Sequence, residues 1–400
     1  MSSFWLDNVR FDGAIVDEPG GFAHTESIQA AVEVRDGVIA AITSTAPADS
    51  EVIDGGGLLL LPPLRDLHIH VDKTYYGGPW RAPALARSLA DRIDQEVALL
   101  PELVSHLEER AAAIVGLVAS RGTSFLRVHT NVDHVVGAES VGRLAALAPS
   151  LDQLAHLEIV AFPQHGLQDG RMVPVLRDAI QAGASIIGGI DPARTETNID
   201  KALEATFELA TAYGIGIDIH LHDPGTLGTF QMRRIAAFTE DAGLHGRVTI
   251  SHAYALAQVD ESTAAGTAEE LAAAGVDVTT ALQLDAAIPV PLMRRLGVRI
   301  SVGTDSVMDH WDPFGSGDML EKASLIAQRF GCLDERSLAA ALTLATGGVP
   351  AVDPDGAPWL RVGDSADFLL IDASCASEAV ARRPRTRRSF RRGVEAPGVP

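Results

Sequence analysis

Leu64-Arg-Asp-Leu-His-Ile-His70 is a short, mostly apolar run of strand length that ends on two histidines one residue apart. Seven comparable runs follow, at residues 124–131, 158–164, 185–191, 216–222, 247–252, 276–281 and 299–305. None alternates strictly, which is the pattern of parallel strands covered on both faces. Long amphipathic segments separate them. In one, Leu103, Leu107, Ala111 and Val115 repeat at i+4. Pro101-Glu102 offers that helix a start, because proline at the first helical position loses no hydrogen bond, and Gly122 offers a stop. Eight strand–helix units in roughly 250 residues is the arithmetic of a (β/α)8 barrel. The expectation is an α/β fold with a TIM-type catalytic barrel over residues 62–350. A doubly wound sheet would want a glycine-rich phosphate loop after an early strand, and none is present.

On either side of the barrel the sequence reads as β structure. Residues 31–42 hold two apolar runs around Asp36-Gly37, a hairpin signal. Asp54-Gly-Gly-Gly57 makes a second turn before Leu58-Leu-Leu-Leu61 and the breaker pair Pro62-Pro63. Near the other end, Val362-Gly-Asp-Ser-Ala-Asp-Phe-Leu-Leu-Ile371 reads as a turn and a strand. Arg382, Arg383, Arg385, Arg387, Arg388, Arg391 and Arg392 then mark a polar strand that protects a sheet edge and offsets an acidic body. Residues 1–61 and 351–400 are expected to pair into one small β-sandwich beside the barrel.

Composition narrows the function. A net charge of −21 argues against a nucleic-acid partner, which needs a basic face for phosphates. Two cysteines, Cys332 and Cys375, exclude a disulfide scaffold and a cysteine-rich zinc module. The apolar stretches, such as residues 111–119, are too short to cross a bilayer, and the first residues carry no basic-then-apolar leader. The expectation is a soluble, cytoplasmic protein with a small-molecule substrate and no membrane partner. The oligomeric state stays open, a homo-oligomer included.

In a barrel of this kind, chemistry gathers at the C-terminal ends of the strands. The first strand ends His68-Ile-His70, the fifth His220-Leu-His222-Asp223, the sixth Ser251-His252 and the eighth Gly303-Thr304-Asp305. Residues i and i+2 point to the same side, so His68 and His70 can face one metal together. Imidazole nitrogen and carboxylate oxygen suit Zn(II) or Fe(II). No G-x-S-x-G elbow is present, and neither cysteine lies at these strand ends.

These stretches carry a resemblance. Residues 61–73, Arg127-Val-His-Thr130, Val160-Ala-Phe-Pro-Gln-His-Gly166, Asp218-Ile-His-Leu-His-Asp223, Arg247-Val-Thr-Ile-Ser-His252 and residues 303–315 together resemble the amidohydrolase superfamily, and within it the cytosine deaminase-like group. The resemblance implies one divalent metal, Zn(II) or Fe(II), on His68, His70, His220 and Asp305. It implies that His252 orients the attacking oxygen, that Asp305 takes the water proton and that Asp223 carries protons to the ring nitrogen and the leaving amine. Gln164 would read an O=C–N–H ring edge, Phe162 and Trp311 would line the pocket, and His222 and Asp309 would stand beside the substrate. The implied reaction is deamination of a small nitrogen heterocycle of cytosine, aminopyrimidine or aminotriazine type. Hydrolysis of a cyclic or linear amide on the same metal, or a silent ligand-binding relative, stays open.

Three departures bear on this. Two-metal members resemble one another in a lysine at the end of strand four; Ile186-Ile-Gly-Gly-Ile-Asp-Pro192 has none, so a single metal is expected. Asp223 stands where the deaminases have Glu, one methylene longer, and Ser306 stands where cytosine deaminases have a second Asp. The loop after the first strand gathers Tyr75, Tyr76 and Trp80 around Gly77-Gly78, a candidate lid next to the metal.

Overall fold

The computed structural model describes residues 3–282, 286–353 and 355–396. Five strands precede the barrel: β1 (Ser3–Glu18), β2 (Phe22–Arg35), β3 (Val38–Thr43), β4 (Val52–Asp54) and β5 (Leu59–Leu61). The barrel follows as β6 (Leu64–Ile69), β7 (Thr123–Asn131), β8 (His156–Phe162), β9 (Ile186–Ile190), β10 (Gly216–Leu221), β11 (Val248–His252), β12 (Val276–Thr280) and β13 (Ile300–Val302). Each of the eight runs expected from the sequence is one of these strands. They lie side by side in chain order and pair in parallel. Closure comes just beyond β13, where the Asp305 N–H donates to the His68 carbonyl at 2.7 Å and the His70 N–H to the Asp305 carbonyl at 3.2 Å. The backbone therefore brings the last strand's aspartate onto the first strand's histidines.

Three more strands, β14 (Phe368–Ile371), β15 (Arg387–Arg391) and β16 (Val394–Glu395), complete a second sheet in the order β16-β15-β14-β5-β1-β2-β3, with β4 pairing β1. Both chain ends thus build one β unit. Asp36 and Gly37, at φ 52° and 79°, make the two-residue turn between β2 and β3. Side chains alternate across a strand, so each central strand serves two cores. Leu59, Leu61, Leu369 and Ile371 enter the barrel's apolar core, while Leu60, Phe368 and Leu370 join Phe4, Phe11 and Phe390 in a separate one.

Two local expectations change. Pro101 does not open a helix. It lies inside α1 (Leu89–Ser105), whose start is capped by Ser88 accepting from the Asp91 N–H at 3.1 Å. Proline removes an intrahelical donor, and α1 ends one turn later, before α2 (Leu107–Ser120). Nor does the arginine-rich tail form an edge: β15 lies between β14 and β16. Three of its arginines reach the barrel instead, while Arg388 bonds Glu395 within the sheet. Arg387 makes two 2.8 Å bonds to Asp318, and Arg391 and Arg392 reach Asp152 at 2.6 and 2.8 Å.

Candidate active site

At the C-terminal end of the barrel, β6 delivers His68 and His70, β10 delivers His220, β11 delivers His252 and the turn after β13 delivers Asp305. Asp305 Oδ1 stands 3.5 Å from His68 Nε2 and 3.4 Å from His70 Nε2. One nitrogen from each of His68, His220 and His252 lies within 4.8 Å of the others. Local backbone builds this convergence. His252 and Asp305 both leave their strands with positive φ, 74° and 61°, a strained conformation for residues with a side chain. Gly303 carries no side chain because an added Cβ would sit 2.4 Å from the Cβ of His68.

Buried bonds fix the rings. His68 Nδ1 is 2.8 Å from Ser251 Oγ, which donates to Asp218 at 2.6 Å; Asp218 in turn pairs with Arg127 at 3.0 Å. His70 Nδ1 donates to the His129 carbonyl at 2.9 Å. Asp66, fully buried, accepts from the His68 and Thr304 N–H groups, and burial pushes its carboxyl up to about 6 against those bonds. Burial, then the charge of Lys73, pushes His70 down to about 4; burial holds His220 and His252 neutral as well. Burial alone would raise Asp305, but the adjoining imidazoles of His68 and His70 outweigh it and hold its carboxyl well below the usual range.

Among the described residues, His68 Nε2, both ring nitrogens of His220 and His252 Nε2 are buried without a hydrogen-bond partner. An unsatisfied buried polar atom costs about 1–3 kcal/mol. Imidazole nitrogens and a carboxylate converging on one point are the donor set a divalent cation requires, and a cation there would engage one nitrogen of each ring that faces it. His68, His129 and Asp218 form a second close group, but Asp218 is already committed to Arg127 and Ser251. The end of β9 carries no lysine.

Strand alternation decides the neighbours of His220. His222 turns to the same side: its ring stacks on His252 at 4.3 Å and lies 5.9 Å from the ring of His220. Its Nδ1 is 2.9 Å from Asp191 Oδ2, while Asp191 Oδ1 accepts from the His222 and Asp223 N–H groups at 2.6 and 3.0 Å. Burial pushes Asp191 up, but the bonds from His222 outweigh it, so this carboxylate is ionised. Asp223 goes elsewhere. Arg194 at 2.9 Å and Gln231 at 3.0 Å take one oxygen each. The structure therefore brings His222, and not the carboxylate of Asp223, to the cluster. The sequence expectation that Asp223 turns in gives way to the ordinary period of a strand.

Above the cluster sit the expected substrate contacts. The Phe162 ring stacks on His220 at 4.0 Å. Gln164 Oε1 accepts from Lys73 at 2.8 Å and its amide donates to Glu96. Trp311 Nε1 donates to Glu96 at 2.9 Å. Asp309 is buried and accepts from the Trp311 and Asp312 N–H groups at 2.7 and 3.1 Å; burial pushes it up to about 7 against the charge of Lys73. In the candidate lid, Tyr75 is buried with its hydroxyl 3.1 Å from His310, whereas Trp80 is exposed to solvent. Sequence reading assigned no role to Asp191, Ser251, Asp218, Lys73 or Glu96. A signal existed for one: Asp218, His220 and His222 share a strand face by the i, i+2 rule.

A barrel with such a cluster at its C-terminal mouth defines a hydrolytic scaffold, and comparison with known proteins identifies it. Residues 108–394 match the Amidohydrolase family. The chain is 38% identical over 393 residues to YahJ, an uncharacterized protein of Escherichia coli K12, covering 96% of this chain and 85% of that one. Over 332 residues it is 28% identical to the N-isopropylammelide isopropyl amidohydrolase of Pseudomonas sp. strain ADP, covering 80% and 81%. The crystal structure of N-isopropylammelide isopropylaminohydrolase from Burkholderia multivorans superposes with a TM-score of 0.86 at 32% identity, covering 99% and 98%. The chain belongs to the amidohydrolase family, and it is a hydrolase of C–N bonds other than peptide bonds.

Proposed function

We propose that the protein hydrolyses the bond between a small nitrogen heterocycle and an exocyclic amine, with one divalent cation held by His68, His70, His220 and Asp305. The observation that carries the reading is the set of orphaned imidazole nitrogens facing one carboxylate at the barrel mouth. Zn(II) or Fe(II), when bound, lowers the pKa of a water toward 7 and polarises oxygen. Asp305 accepts the proton of the attacking water. His252, its Nδ1 3.1 Å from the Tyr254 hydroxyl, presents Nε2 to the oxygen that adds to the ring carbon. With Nδ1 held by Asp191, His222 presents Nε2 as the proton carrier, first to the ring nitrogen and then to the leaving amine. Phe162 gives the ring a flat wall, and Gln164 and Trp311 orient its far edge. Water adds across the C–N bond, the carbon keeps the oxygen, and the amine departs with the protons. The similarity to two proteins named for N-isopropylammelide supports an amino-substituted triazine or a related ring as the substrate class.

Two measurements test this together. Elemental analysis of the folded protein should give one zinc or iron per chain. Zinc and iron forms should then release ammonia or alkylamine from a panel of aminotriazines, aminopyrimidines and aminoimidazolones. Two metals per chain would overturn the site; ring opening without amine release would overturn the reaction.

A further inference from the structure

A chain of hydrogen bonds crosses the barrel and ends on a ring of the cluster. It starts at Arg127 on β7, whose guanidinium donates to Glu158 of β8 at 2.7 Å and to Asp218 Oδ2 of β10 at 3.0 Å. Asp218 Oδ1 accepts from Ser251 Oγ of β11 at 2.6 Å, and that Oγ lies 2.8 Å from His68 Nδ1 of β6. Asp218, Ser251 and His68 are all buried, so water does not compete for these bonds.

The chain can run in one direction only. A guanidinium has donors and no acceptor, so Asp218 accepts on Oδ2. The carboxylate beside it can only accept, so Ser251 spends its single hydroxyl proton on Oδ1. The serine oxygen then offers His68 lone pairs alone. The ring proton must sit on Nδ1, and Nε2 is left bare toward the cluster, 3.5 Å from Asp305 Oδ1. The other rings differ. His70 Nδ1 is held by the main-chain carbonyl of His129, an acceptor that no side-chain substitution reverses, and neither nitrogen of His220 has a hydrogen-bond partner among the described residues. His129 stacks on His68 at 3.9 Å but stays out of the chain, because its Nε2 is 3.7 Å from Asp218 Oδ2, beyond hydrogen-bond distance.

We infer that Asp218 and Ser251 are positioning residues that fix His68 as its Nδ1–H tautomer and so keep Nε2 free to hold the cation. The inference rests on the metal reading above and extends it to two side chains outside the set of ligands. It has a consequence that simple packing does not. In Asp218→Asn, Arg127 still demands an acceptor, so the amide oxygen stays on Arg127 and the NH2 faces Ser251. An NH2 can only donate, so the serine turns its proton onto His68 Nδ1. The whole chain reverses, the ring proton moves to Nε2, and the ligand atom is blocked while every atom keeps its place. Removing the hydroxyl breaks the reversed chain: in Asp218→Asn/Ser251→Ala nothing forces a proton onto Nε2. A second lesion should therefore repair the first.

Two measurements test this without turnover. Zinc affinity is measured by competition with a chelator, and two-bond proton–nitrogen NMR at about pH 8 reads the His68 tautomer in the metal-stripped protein, its signal identified by its loss in His68→Asn. The wild-type ring should be the Nδ1–H form. Asp218→Asn should show the Nε2–H form and bind zinc about 10–100-fold more weakly, the range for outer partners of metal ligands. Asp218→Asn/Ser251→Ala should bind zinc at least about threefold more tightly than Asp218→Asn. An Nε2–H ring in the wild-type protein, or a double variant that binds zinc no better than Asp218→Asn, overturns the inference. Should Asp218→Asn fail to fold, the wild-type tautomer decides. If zinc does not bind the wild-type protein while the tautomers are as stated, the metal reading falls and the positioning role stands. Tight zinc binding with an Nε2–H ring in the stripped wild-type protein gives the reverse.

Discussion

Replacing His222 or Asp191 separates the two candidate proton carriers of β10. His222→Asn removes the ring that faces His252 and leaves Asp223 in place. General acid–base groups contribute roughly 10²–10⁴-fold, or about 3–5 kcal/mol of barrier, so kcat should fall by that factor. Asp191→Asn is the subtler change. The carboxylate oxygen 2.9 Å from His222 Nδ1 keeps the proton on Nδ1 and leaves Nε2 free to accept. Asn can keep one oxygen on the His222 and Asp223 N–H groups, but its NH2 then faces Nδ1. The ring must take the other tautomer, with Nε2 already protonated, and the loss should again reach at least about 10²-fold. Asp223→Asn breaks a pair with Arg194, whose side chain is 43% exposed, and keeps an oxygen for Gln231. Asp223 itself is buried, so the change should cost about 1–3 kcal/mol of stability, and kcat should stay within about threefold. The assay is steady-state amine release with metal content measured on the same samples. An inactive, metal-loaded Asp223→Asn beside an active His222→Asn would refute the reasoning and return the role to the carboxylate.

Other perturbations probe the rest of the molecule. Asp305→Asn keeps an oxygen toward His68 and His70 but cannot accept a proton; kcat should drop at least about 10²-fold with metal still bound, and wild-type turnover in a loaded variant would place the base elsewhere. Asp12, whose Oδ2 accepts from the Ala376 N–H at 2.9 Å near Glu335, is pushed by burial from 3.8 to about 6. Its folded form binds the proton more tightly than the unfolded chain, so its contribution is fully present below about pH 4 and is lost as pH rises through about 6. The gap corresponds to at most about 3 kcal/mol. Asp12→Asn should therefore raise Tm at pH 8 and leave it unchanged near pH 4; a gain only at low pH would contradict the sign. Arg387→Ala removes a nearly buried pair of hydrogen bonds to Asp318 and should cost about 3–5 kcal/mol in denaturant unfolding. A loss under 1 kcal/mol would show that the terminal sheet does not depend on this anchor.

Much of the fold was legible in the chain. Parallel strands buried on both faces must be short and apolar, and helices between them must show a 3.6-residue period, so eight such units read as a barrel before any contact is known. The two-residue spacing of His68 and His70, and the Asp36-Gly37 turn, are likewise local facts. Pro101 shows the limit of local rules. Its reading as a helix start competed with Ser88, which caps the helix thirteen residues earlier, and a cap is a bond that the sequence offers without saying whether it forms.

What the tertiary structure alone decided are the pairings between distant segments. Asp191 lies 31 residues from His222, Glu96 68 residues from Gln164, and Arg387 69 residues from Asp318. Alternation already placed His222 on the side of His220, yet only the Arg194 and Gln231 bonds show that no bulge turns Asp223 inward. The arginine tail looked like solvent-facing charge because its partners, Asp152 and Asp318, lie on the barrel. Period and propensity act over a few residues and can be read along the chain. An ion pair or a buried hydrogen bond depends on which surfaces the packed core brings within about 3 Å, and that is settled only when the barrel closes.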